Sequence, residues 1–354
     1  MGLKSLFKPK RKPTLGLDIG SHSIKIVELE SKGSRKIVQK VGRALLPQGA
    51  IVDGSIKDRE VVEEVLRNLV NNLQPKLKRV STSISGYSVI VKRVMVPYPT
   101  EKEIEDNLII EAEKYVPFEI EDVYIDFSIL NLPEDERGGA NIYLVAAKKE
   151  VVDEYAGLLE DIGLVPSVID VDAFTLANVF ESVFGKEAEP AVLLDIGASN
   201  ANMIIVIGGV PVFTRDMAFG GEQLTEAIQE STGLSREEAE KVKISGTKDT
   251  ALMKEVSEII STQVNLWIDE VGKALTFYKA NAPENEHPQK IYLSGGCALL
   301  RGIEKRFSKG LKYEARILNV LEGFEATKTI DETYIKAVGP QMTIATGLAL
   351  RSVE

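Results

Sequence analysis

TLGLDIGSHSIKIVELE, residues 14–30, decides the fold. An apolar run ends in Asp18, a Gly-Ser-His-Ser turn follows, and a second apolar run carries Lys25 inside it. A plain hairpin turn needs only Gly20 and a polar partner. Ser21, Ser23, one acid and one base are surplus to that need. Small donors beside an acid and a base suit a phosphate and its metal ion.

The pattern returns at AVLLDIGASNANMIIVIGGVPVFTRDMAFGG, residues 191–221. Laying Asp195 on Asp18 superposes LLDIGA on GLDIGS, with apolar strands on both sides. One Gly-bearing turn after a strand is an ordinary loop feature. Two in matching positions are an internal duplication, which outweighs any local motif. Two β-rich halves facing each other would present their turns to opposite sides of one polyphosphate. Backbone N–H groups freed by Gly20 and Gly197 would grip its oxygens. Asp18 and Asp195 would hold Mg²⁺ through its waters, because that ion keeps part of its hydration shell. Lys25 adds positive charge at the first turn. Asn202 takes the lysine's place in the second copy and Asn200 adds an amide, so the grip leans on the first hairpin.

Around these hairpins the pattern alternates strands and helices. Strands are expected at 14–19, 23–30 and 35–45, then a helix from Asp58 to Leu73. Its stripe is Val61, Val62, Val65, Leu66, Leu69 and Leu73, with Asp58 as N-cap and Pro75 as stop. Residues 80–97 read as strand. Thr100 with Glu103 is a capping box opening a helix that Pro117 breaks. Strands follow at 123–131 and 141–147, a helix at 149–162, and VIDVDAFTLANVFESVFG as a short strand running into a helix. Asp170 and Asp172 lie at that junction, where turn and N-cap chemistry competes with a catalytic role. The second half adds helices at 221–232, 235–244 and 250–281. In KIYLSGGCALLRGI (290–303) a strand, a Gly-Gly turn and a helix follow one another, and a last helix covers 339–351. Gly295 and Gly296 suit a turn where backbone must approach something closely, and a nucleoside fits there.

The chain has 354 residues, a formal charge of −10, one cysteine and two histidines. The acidic balance argues against nucleic-acid binding. Cys297 alone makes no disulfide framework and fits a reducing cytoplasm, and His22 and His287 make no His/Cys metal cluster. No apolar run approaches the roughly 18 residues of a membrane helix. MGLKSLFKPKRK, residues 1–12, lacks the apolar core of a signal peptide and the Ser or Thr of a myristoylation site. It reads as a basic tail, with weak attraction to an anionic membrane surface as its functional alternative.

The order DIGS…K, an acidic second Gly hairpin, then SGG before a helix resembles the actin-like ATPase superfamily. Within it the chain looks like the PilM family of type IV pilus assembly. That likeness rests on LGLDIGSHSIKIVELE, EAEKYVPFEIEDVYIDF, VIDVDAFTLANVF, LLDIGASNANMIIV, YLSGGCALLRGI and IATGLALR, which span nearly the whole chain. EAEKYVPF discriminates most, since kinases and chaperones of the superfamily lack it. The resemblance implies an α/β fold with two RNase H-like domains around a nucleotide cleft and an inserted subdomain. Its boundaries would be a tail at 1–13, a first domain at 14–82 and 167–189 closed by 339–354, an insertion at 83–166, and a second domain at 190–338. It implies ATP and Mg²⁺ as ligands. Asp18, Gly20, Ser21 and Lys25 would form the first phosphate loop, and Asp195, Gly197 and Ser199 the second. Gly295 and Gly296 would lie under the adenosine, with Glu238 and Lys241 around ribose and adenine. Glu238 is also the N3 residue of a capping box with Ser235.

Hydrolysis needs a group that orients the attacking water. Only Asp170 and Asp172 are candidates, so slow or absent turnover is expected. The implied partner is the N-terminal cytoplasmic peptide of a PilN-type inner-membrane protein, docked beside the insertion. The implied place is the cytoplasmic face of the inner membrane, among pilus platform proteins and with homo-oligomers possible. The rival readings are an FtsA-like filament-forming membrane tether and a small-molecule kinase.

Overall fold

Leu15, Leu17 and Ile19 alternate with Gly16 and Asp18, and the three apolar residues are buried. A strand covered on both faces belongs at the centre of a sheet. The computed structural model describes residues 12–32, 35–130, 138–185 and 189–353. In it Leu15–Ile19 is an inner strand of a six-stranded mixed sheet. The order is Val165–Val171, Arg79–Ile84, Leu15–Ile19, Ser23–Lys32, Arg35–Leu45, Glu325–Ala326. The basic residues 1–11 and most of the turn PEDERGGA lie outside the described residues.

A second sheet repeats the plan: Val210–Met217, Ala201–Ile207, Ala191–Ile196, Lys290–Ser294, Glu314–Ile317. In both, a hairpin pairs antiparallel at the centre and two crossover strands join it parallel on one side. The register is equivalent at the decisive point. Asp18 lies opposite Lys25, and Asp195 lies opposite Asn202.

Helix Arg59–Leu73 starts where Asp58 accepts from Val61 N and buries Val62, Leu66, Leu69 and Val70 against the first sheet. One helix joins the halves and another closes over the first sheet. Asp172–Phe184 sends Phe180 edge-on to Tyr292 of the second sheet, with ring centroids 5.2 Å apart. Thr343–Ala349 lies on the central strand so closely that a Cβ at Gly16 would sit 2.0 Å from Ala345 O. Only glycine permits that approach.

A third, smaller sheet, ordered Val89–Val96, Ala140–Lys148, Val123–Ile129, carries helix Glu101–Glu113 and its own apolar cluster around Ile104, Ile142 and Leu144. It is shorter than the expected 83–166. Helix Lys149–Asp161 buries Val151, Tyr155, Leu158 and Leu159 in the first domain's core, and Val165–Val171 is that domain's edge strand. The run read as strand at 80–97 is two strands of different sheets, broken by a 3₁₀ turn at Gly86–Ser88. The last helix, expected over 339–351, is a 3₁₀ turn Gly339–Met342 followed by Thr343–Ala349, since Pro340 removes an amide donor, and an unexpected helix Glu332–Val338 precedes it.

Candidate functional site

The two hairpin turns meet. Ser199 Oγ donates to Ser21 Oγ at 2.8 Å, joining the tips from opposite halves. Beneath them a cleft is lined by Asp18, Gly20, Ser21, Ser23 and Lys25 of the first hairpin. Asp195, Gly197, Ser199, Asn200 and Asn202 of the second face them.

The first hairpin's register places Lys25 Nζ 2.8 Å from Asp18 Oδ2, both largely buried. Asp195 has no such cation. It accepts from Ser294 Oγ at 2.6 Å, yet its carboxyl rises to about 6, chiefly because burial disfavours the charge. Asp172, at the start of the helix joining the halves, rises to about 7 for the same reason, reinforced by the Asp18 charge. Ser83 Oγ donates to Asp172 Oδ1 at 2.5 Å, with Ser85 as a second hydroxyl partner. Three carboxylates thus face one cleft from three elements.

Asp170 points elsewhere. Its carboxylate takes Arg351 Nε at 2.6 Å and also contacts Thr175, fastening the chain's end to the edge strand. Two residues apart, the acids would share a face if the strand continued, but the chain turns into the helix at Asp172. Of the two only Asp172 lines the cleft, so a water-orienting role is open to Asp172 and closed to Asp170.

The ribose–adenine pair also needs correction. Glu238 is exposed and closes the expected capping box with Ser235, while Lys241 is exposed on the same helix. Neither lines the cleft. Glu240 and Lys243, at the same spacing two residues on, do. Lys243 Nζ reaches Glu240 (2.6 Å), Thr225 Oγ1 (2.7 Å) and the Gly221 carbonyl (2.9 Å). The capping box was the signal that separates the pairs, because it engages Glu238 with its own helix N-terminus. Gly296 lines the cleft; Gly295 lies behind it, at φ +85°, where a Cβ would be 2.4 Å from Ile196 O.

Sequence reasoning missed Arg43, Ser83, Ser85, Tyr155 and Gln341 on the cleft wall. Their partners come from distant segments, as in Arg43 Nη1 to Gln341 Oε1, so spacing carries no trace of them. Cys297 is buried, its Sγ 3.3 Å from the Gly197 carbonyl, and burial pushes its thiol up to about 12. It packs the floor of the second turn.

A triphosphate fits this donor set. Lys25 and Lys243 supply cations, and Gly20, Gly197 and Gly221 keep the turns close to the cleft, their own amides donating to the Ser23, Asn200 and Gly197 carbonyls. A Cβ at Gly221 would meet Cys297 Sγ at 2.7 Å, so the turn stays narrow. Among the described residues no three acids, histidines or cysteines cluster tightly enough to hold a metal directly.

A family model described as type IV pilus assembly protein PilM matches residues 16–353. A solved PilM–PilN type IV pilus biogenesis complex is similar at 28% identity, covering 97% of this chain and 99% of that one, with a TM-score of 0.86. Ethanolamine utilization protein EutJ from Carboxydothermus hydrogenoformans matches at 16% identity, 97% and 90% coverage, and a TM-score of 0.56. MreB5 of Spiroplasma citri bound to ADP matches at 15%, 93% and 99%, and 0.51. The last two are likenesses of fold. Among the described residues no helix is long and apolar enough to cross a membrane.

Proposed function

The chain belongs to the type IV pilus assembly protein PilM family, and from that premise we propose that it is an ATP-binding, actin-like scaffold of the pilus assembly platform. The observation that carries the nucleotide half is the meeting of the hairpins: Ser21 and Ser199 in contact, with Asp18, Asp195 and Lys25 just beneath. Lys25 and the hairpin turns around Ser21 and Ser199 bind and orient the phosphates, while the Gly20 and Gly197 amides close those turns by donating to the Ser23 and Asn200 carbonyls. Glu240, Lys243 and Gly296 line the nucleoside end. Magnesium, held through water by Asp18 and Asp195, would neutralise phosphate charge. Asp172, whose carboxyl burial raises to about 7, is the one candidate for orienting a water, and among the described residues no second group stands beside it for that task. Slow turnover is the expectation, with the nucleotide mainly setting how the two halves close.

The partner half rests on likeness to the PilM–PilN complex. A PilN-type cytoplasmic N-terminal peptide docks beside the small inserted sheet and recruits the protein to the inner face of the inner membrane.

Titration calorimetry with MgATP, and separately with a synthetic PilN N-terminal peptide, tests both halves. Lys25→Met keeps the apolar stem and removes a charge-assisted hydrogen bond of about 1.5–3 kcal/mol. MgATP affinity should fall roughly 10- to 100-fold, with the peptide affinity unchanged. Parent-like MgATP binding by Lys25→Met would refute the phosphate assignment.

A further inference from the structure

The inserted sheet is joined to the first domain by two tethers, and both pass through the wall of the cleft. On the way in, strand Arg79–Ile84 leads through Ser85 and the 3₁₀ turn Gly86–Ser88 to Val89–Val96. Ser85 lines the cleft beside the Asp172 carboxylate. Gly86, at φ +78°, lies against Asp53, and a Cβ there would come 4.0 Å from Asn200 Nδ2 of the second hairpin. On the way out, strand Ala140–Lys148 runs without a loop into helix Lys149–Asp161. That helix carries Tyr155, which is buried, lines the cleft, and donates its hydroxyl to the Gly54 carbonyl at 3.1 Å.

The tethers converge on one turn, Asp53–Gly54. Tyr155 holds its carbonyl from one side. Ser85 O presses on it from the other, so closely that a Cβ at Gly54 would be 2.9 Å away. Asp53 and Gly54 both sit at positive φ, +50° and +77°, a conformation free to Gly54 but sparsely adopted by a non-glycine residue such as Asp53. The helix's first turn is in turn pinned to the inserted sheet. Tyr124 Oη donates to Asp153 Oδ1 at 3.0 Å, and Lys149 Nζ donates to the Glu121 carbonyl at 2.7 Å. Asp153 and Tyr155 are two residues apart on a rigid helix. One grips the inserted sheet and the other grips the cleft.

We propose that helix Lys149–Asp161 couples occupancy of the cleft to the orientation of the inserted sheet, with Tyr155 as the positioning residue. The proposal rests on the reading that a nucleotide occupies the cleft. A ligand that moves the Asp53–Gly54 turn, or draws Asn200 toward its phosphates, must shift Tyr155 or Ser85. Neither can shift without its tether, since the helix is continuous with one inserted strand and the 3₁₀ turn with another. By linkage the effect is reciprocal: whatever binds the inserted sheet changes the cleft's affinity by the same factor. The warrant is a contiguous set of contacts between two sites.

Tyr155→Phe tests it, because it removes only the hydroxyl that reaches Gly54 and keeps the ring in the core. Hydrogen exchange is followed in the full chain with and without saturating MgATP. In the parent, MgATP should slow exchange at both hairpins, 15–25 and 191–202. It should also change exchange by about fivefold or more in the inserted strands 89–96 and 140–148, the lower end of ordinary coupling energies. With MgATP raised to saturate each variant, Tyr155→Phe should show a lower ratio of inserted-strand to hairpin response than the parent, whatever its affinity. Ser85→Ala, acting on the other tether, should also lower that ratio, and serves if the tyrosine variant does not fold. A parent response confined to the hairpins, or a parent-like ratio in the folded variants, overturns the coupling and leaves nucleotide binding standing. No response at the hairpins themselves removes the nucleotide reading and the coupling with it.

Discussion

Asp172→Asn isolates the cost of the acid that faces the cleft from the joining helix. In the folded protein its carboxyl is raised from 3.8 to about 7, first by burial and then by the neighbouring Asp18 charge. The native state therefore holds this proton more tightly than the unfolded chain does. The sign follows from linkage: below about pH 4 the group is neutral in both states and costs nothing. As pH rises toward 7 the unfolded chain ionises first, so native stability falls; above 7 the penalty is constant. At about 1.4 kcal/mol per pH unit, the rise caps that penalty at about 4 kcal/mol. Solvent reaching a half-buried cleft will reduce it. The amide is neutral at every pH, and its oxygen can still accept from Ser83 at the site of the present 2.5 Å contact. Parent and variant should unfold at similar urea concentrations near pH 4.5 and diverge with rising pH, the variant being more stable by about 2–4 kcal/mol at pH 8. Comparing the two chains cancels the titrating groups that do not interact with Asp172, and relief of Asp18 and Asp195, whose charges raise it, acts in the same direction. The same variant should bind MgATP at least as tightly as the parent and lose whatever turnover the parent has. Midpoints that move in parallel from pH 4.5 to 8 would show that the Asp172 carboxyl is an ordinary one and that the cleft does not desolvate it.

Lys243→Met should weaken MgATP binding by about tenfold or more by calorimetry, since one cation leaves the cleft wall and Glu240 keeps Thr225 but loses its cation. Lys241→Met, on the exposed side of the same helix, should leave it unchanged; equal losses would restore the pair first read from the sequence. Cys297 should resist thiol reagents at pH 8 far longer than a free thiol, at a rate that rises with urea and falls with MgATP, because its Sγ lies under the second turn. Rapid labelling of the folded chain would show that turn to be open.

The duplication was legible because it is written in local grammar. An apolar strand, an acid, a glycine turn and a second strand are contiguous residues, and twofold alternation fixes which side chains share a face. Hence Asp18 opposite Lys25 and Asp195 opposite Asn202 follow once the two copies are aligned. Tertiary choices between equal local options were not legible. SREEAEKVK offers two Glu–Lys pairs at one spacing; the capping box marks Glu238 as engaged, but only the rotation of the helix about its axis brings Glu240 and Lys243 to the cleft. VIDVDAF offers two acids, and only the partners, Arg351 for one and Ser83 for the other, say which faces the cleft. The insertion's end was misplaced for a related reason. Helix Lys149–Asp161 is amphipathic wherever it packs, and nothing local says that Tyr155 enters the first domain's core. That ambiguity has a physical consequence. A helix continuous with one unit but packed into another transmits motion between them, so the boundary that was hardest to read in the sequence is the one joining the cleft to the inserted sheet.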